Sequence, residues 1–148
     1  MNLRILVFLI ALLSCGNLLA QNSKDWEGEW LGYLTQGNGG LKNKYSVRLE
    51  LRSKDNGISG FCYVQENNLT STMEITGYWK SKTKFQLKDV RLINHKEPDN
   101  INWCFKTYEL EIKKQKKEFI IEGIWTGKTK EEKCIPGKVV LNRSKPRA

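Results

Sequence analysis

The chain is 148 residues long, and its 25 Lys and Arg against 16 Asp and Glu give a formal net charge of +9. A single histidine, His95, excludes multi-histidine metal centres, and four cysteines with no Cys-x-x-Cys pair exclude a zinc finger. A basic chain of this kind favours acidic partners or surfaces without selecting among them.

The first element is not part of the fold. Met1-Asn2-Leu3-Arg4 precedes an apolar run from Ile5 to Leu13, then Ser14-Cys15-Gly16-Asn17. That order reads as a secretory signal whose apolar stretch is too short to span a membrane. Cleavage after Ala20 removes residues 1-20 and leaves residues 21-148 as one domain, with Arg4 taking one positive charge away. A competing reading is Leu12-Leu13-Ser14-Cys15, which resembles a lipobox and makes Cys15 the anchor of an outer lipoprotein. Both readings export the domain, as a periplasmic or secreted protein in the first case. Neither leaves a transmembrane segment in the mature chain, and export makes nucleic acid an unsuitable partner.

Beyond the leader, period-two alternation recurs and helical periodicity does not. The spacing predicts strands at 26-34, 44-53, 57-65, 70-79, 84-93, 101-114, 117-127 and 137-143. The third follows Asp55-Asn56-Gly57, a strong hairpin signal. In the fifth, Phe85 and Leu87 fall on one parity and Val90 and Leu92 on the other, which predicts a bulge near Lys88-Asp89. The sixth shows a similar shift between Phe105 and Leu110. Eight sequential antiparallel strands with short turns remove both sheet edges by closing, so the expected fold is all-β, an eight-stranded up-and-down barrel. "ITGYW" (75-79) and "IEGIW" (121-125) then place Gly77 and Gly123 on the crowded inner face, with Gly28 and Gly60 in related positions.

Up-and-down connectivity puts the longer loops at one end, the expected mouth. Cys104 and Cys134 both lie at segment ends on that side, and are the expected disulfide, leaving Cys62 as a buried unpaired thiol. The opposite end gathers lysines, among them Lys80, Lys82, Lys113, Lys114, Lys116 and Lys117, a candidate surface for an anionic envelope lipid or glycan. No catalytic constellation is recognisable: His95 has no histidine partner, and Glu27 with Glu29 and Glu109 with Glu111 alternate onto the solvated face. No catalytic residue, metal ligand or cofactor site is therefore assigned.

Gly28-x-Trp30 in the first strand, with Arg143 just after the last, resembles the lipocalin and avidin group of calycin barrels. That resemblance implies that Trp30 packs across the closed end against the basic Arg143, and that the interior takes a small hydrophobic or amphipathic ligand. Carried onto this chain, it makes Trp79, Trp103, Trp125, Phe85 and Phe119 the aromatic lining. The layout, with Trp103-Cys104 and Cys134-Ile135-Pro136-Gly137 near the end and an Ala-Gln junction, is similar to a group of small exported Bacteroidetes proteins, which implies location alone. The expected function is a non-enzymatic binding barrel. The alternative is a barrel that binds an anionic envelope component, or inhibits an exported hydrolase, through its basic surface or loops.

Overall fold

The structure, a computed structural model, describes residues 25–40, 43–97 and 102–144. The leader and Cys15 lie outside the described residues. Eight strands follow in order: β1 (Gly28–Thr35), β2 (Lys44–Lys54), β3 (Gly57–Glu66), β4 (Leu69–Trp79), β5 (Lys84–Lys96), β6 (Phe105–Gln115), β7 (Glu118–Lys128) and β8 (Gly137–Arg143). Each pairs antiparallel with the next, and β1 pairs with β8 from Trp30↔Arg143 to Leu34↔Val139, which closes the barrel.

Alternation fixes which side chains enter. Val47, Leu49 and Leu51 from β2, Cys62 and Val64 from β3, and Met73 and Ile75 from β4 are all buried, while their sequence neighbours face outward. Tight connections link the strands at 55-56, 67-68 and 116-117, where Asp55, Asn67 and Lys116 take the left-handed conformation. Asp and Asn tolerate that region; Lys116 does so at a steric cost. Gly57 lies inside β3 rather than in the turn.

Curvature depends on inward glycines. A Cβ on Gly123 would fall inside van der Waals contact of the Glu109 carbonyl oxygen, and one on Gly77 would strike that of Gln86. The neighbouring backbones can close up only because no Cβ is there.

Of the two register readings, one holds and one changes. In β5 the extra residues are Val90 and Ile93, each skipped in the pairing with β4, so a bulge does sit just beyond Asp89. Yet Asp89 itself keeps the parity of Phe85 and Leu87 and is buried. The shift expected in β6 is corrected: β6 begins at Phe105 and pairs with β7 without interruption to Gln115. Phe105 faces out, 40% exposed, and Lys106 faces in with Tyr108 and Leu110. The β5 shift is a true bulge and the β6 shift is not, yet beside each a charged residue, Asp89 or Lys106, lies on the inner face.

Replacing Gly123 by Ala should lower the unfolding free energy in urea by about 1–3 kcal/mol, because the β6–β7 pair must move apart. Ile124→Ala, on the outer face, should change it by less than about 0.5 kcal/mol. Equal, small effects at both positions would remove close backbone approach as the source of curvature.

Candidate functional site

The two ends differ in filling. At the end where β1 begins and β8 finishes, the Trp30 indole N–H donates to the Trp26 carbonyl at 2.9 Å, and the Arg143 guanidinium lies 5.8 Å from the Trp30 ring centre. Arg143 also donates to the Glu27 carbonyl at 2.9 Å and to that of Asp25, which pins the entering segment across the barrel. Gly28, in that segment, has φ +112, a conformation open to glycine at little cost. Trp26, Trp79 and Phe85 stack in sequence, with ring centres 5.3 and 4.9 Å apart. Phe119 packs against the same core from β7. Above them Leu49, Leu51, Leu87, Leu110, Ile121 and Leu141 fill the cylinder.

The Tyr108 side chain ends this solid half. Its hydroxyl crosses from β6 to the Cys62 sulfur on β3, 3.6 Å away. Burial, helped by the Asp89 charge, pushes the Cys62 thiol up to about 12, so it is a neutral core group and not a nucleophile.

Toward the mouth the interior turns polar. Asp89, 2% exposed, and Lys106, 6% exposed, lie on adjacent strands just where β5 parts from β6 after the Lys88↔Thr107 pair. Asp89 Oδ2 accepts the Lys106 backbone N–H at 2.8 Å and so continues the ladder by one bond where the strands diverge. The Lys106 ammonium is 3.9 Å from the same oxygen, donates to the Cys104 carbonyl at 3.1 Å, and stands 5.7 Å from the Trp125 ring centre. Asp89 Oδ1 and Ser71 Oγ are buried with no hydrogen-bond partner among the described residues. Burial pushes the Asp89 carboxyl up from its ordinary value, while the Lys106 ammonium and backbone N–H pull partly back.

Over this layer opens a cavity of about 330 Å³. Its walls include Leu34, Tyr45, Val64, Leu69, Trp103 and Trp125, and Lys106 reaches into it. The rim is braced: the Cys104–Cys134 disulfide joins the start of β6 to the loop before β8, with Cα atoms 6.3 Å apart. The Trp125 indole donates to the Thr35 carbonyl at 2.8 Å, and the Trp103 indole to Glu97 at 2.6 Å. The His95 ring, bonded to the same carboxylate, and then the Trp103 N–H hold Glu97 below its usual range.

Of the aromatics expected around a ligand, Trp103 and Trp125 therefore meet at the mouth. Trp79, Phe85 and Phe119 lie at the other end, inside or against the solid core. The polar members, Lys106, Asp89, Ser71 and Tyr108, were not singled out by the sequence. The signal for two of them was present: Lys106 shares the parity of Tyr108 and Leu110, and Asp89 that of Phe85 and Leu87.

The lysines of the opposite end divide as well. Lys80 bonds Glu109 at 2.6 Å, and Lys113 bonds Glu122 and lies 3.6 Å from Glu111, all on the outer face. These hydrogen bonds raise the affinity of both ammonium groups for their protons. Lys114 stands 5.9 Å from the Phe119 ring centre, and Lys82, Lys116 and Lys117 are exposed at turns. Two hollows of about 530 and 560 Å³ lie among outward side chains, around Arg48 with Tyr63 and around Lys113 with Glu122. They are grooves lined neither by Asp89 nor by Lys106.

Among the described residues no group of three or more His, Cys, Asp or Glu is placed to hold a metal ion, and no helix is long and apolar enough to cross a membrane. The glutamate pairs bind neighbouring strands, as where Glu29 meets Arg48 at 3.1 Å. Comparison with known proteins returned nothing: no family model matches, nor does any curated protein or solved structure at a significant level.

Because the folded state holds the Asp89 proton more tightly than the unfolded chain does, this group stabilises the fold fully only below 3.8 and loses that contribution as pH rises through its elevated folded value. Asp89→Asn lacks this loss. Its urea midpoint relative to wild type should therefore climb from pH 4 toward neutrality; a pH-independent difference would show that the carboxyl titrates normally.

Proposed function

We propose that the chain is an exported, non-enzymatic, calycin-like binding protein that takes a small hydrophobic or amphipathic ligand in the mouth of its barrel. One observation carries this reading: a cavity of about 330 Å³, walled by Trp103, Trp125, Leu34 and Val64, opens above an otherwise filled interior. Ligand pockets begin near ~300 Å³, and most combine apolar walls with a few polar groups, as here. The size fits a single medium-length chain or a small ring system. The Trp30 and Arg143 contact across the filled end supports the calycin comparison, and a disulfide agrees with export as the setting.

The alternative, an anionic envelope component bound at the filled end, is favoured by the exposed Lys82, Lys116 and Lys117. It is weakened because Lys80 and Lys113 already bond carboxylates. Inhibition of an exported hydrolase through the loops draws on no specific contact.

Native mass spectrometry of protein purified from its source should show a retained small molecule, and Trp125→Ala should lower its occupancy at least about tenfold, an effect within reach of one buried aromatic contact. Retention of nothing, with salt-sensitive binding to anionic vesicles, would transfer the function to the basic end.

A further inference from the structure

The polar layer beneath the mouth specifies one end of the ligand. An ammonium buried this deeply needs acceptors for its three donors. Among the described residues the Lys106 ammonium makes one hydrogen bond, to the Cys104 carbonyl, and has a carboxylate oxygen at 3.9 Å, beyond hydrogen-bonding distance. Lys106 is itself one of the residues that border the cavity. Asp89 does not line that space, so its carboxyl is not the surface a ligand meets first.

We infer that the mouth takes amphipathic ligands with a carboxylate or similar anionic head, bound head-down on Lys106 with the apolar tail between Trp103 and Trp125. This rests on the mouth being a ligand site. The geometry supplies the discrimination: an anionic head gains charge-assisted hydrogen bonds from Lys106, a neutral hydroxyl gains weaker ones, and a cationic head is repelled. The indoles of Trp103 and Trp125 are held at the rim by Glu97 and Thr35, so the walls are set before a ligand arrives. Lys133 and Glu132 on the rim offset each other in charge, leaving Lys106 to set the preference.

Affinities of decanoate, 1-decanol and decylammonium for the full mature protein, measured by tryptophan fluorescence, test this with one tail and three heads. Decanoate should bind at least about tenfold more tightly than 1-decanol, with decylammonium weakest. Lys106→Met should abolish the gap between decanoate and 1-decanol while leaving 1-decanol binding in place, and Lys106→Arg should keep the gap. The order of the three ligands in wild type stands as a test even where a variant fails to fold. Equal binding of decanoate and 1-decanol, a preference for decylammonium, or a preference that survives Lys106→Met would overturn the head-group assignment alone. Binding of none of the three would overturn the mouth reading together with it.

Discussion

Closing an eight-stranded sheet forces all inward side chains into one narrow cylinder, and the rest of this structure follows from how that space is shared. A cylinder of this size holds a packed core without room to spare, so curvature and filling must be matched residue by residue. Gly77 and Gly123 let adjoining backbones approach more closely than a Cβ would allow. Below Tyr108 the result is a packed apolar core, with Trp30 and Arg143 in contact at its end. Above it the strands part, β5 bulges away, and the interior is left partly open.

That opening coincides with the least economical part of the molecule. An ion pair out of water loses much hydration, and its mutual attraction seldom makes up the difference. Asp89 and Lys106 are held there by backbone geometry: one carboxylate oxygen takes the amide at which the β5–β6 ladder would otherwise end. The pair so terminates a sheet seam and lays a polar floor under an apolar-walled cavity. Ser71 Oγ and Asp89 Oδ1 are buried with no hydrogen-bond partner among the described residues. A core built only for stability would place hydrocarbon at these positions, which is why the cavity and the buried charges are read together as one device.

The fold was legible because alternation and turn chemistry agree along the whole chain. Inward parity in β2, β3 and β4 is unbroken, and Cys104 and Cys134 fall at the same end once the strands are counted, so barrel and disulfide follow from pattern alone. The site was legible only in part. Strand direction puts Trp125 near the mouth and Trp79 at the other end, but the aromatic lining implied by the calycin resemblance grouped Trp79, Phe85 and Phe119 with Trp103 and Trp125, though those three belong with the filled end. Lys106 was hidden because a rule that sends charge outward reads an inward charge as a slip of register, and Asp89 because the true bulge beside it, at Val90, drew attention from its own parity. Phe105, apolar yet exposed, completed that misreading in β6. Their mutual compensation arises between strands and leaves no trace within either one.

The division of the interior at Tyr108 is the central claim, and a crystal structure at a resolution that shows ordered water tests it most directly. Density for water or a bound molecule should appear above the Tyr108 ring, in contact with the Lys106 ammonium, and none among Leu49, Leu51, Leu87 and Ile121. Collapse of Trp103 and Trp125 into a closed, dry mouth, or water below the Tyr108 ring, would contradict it.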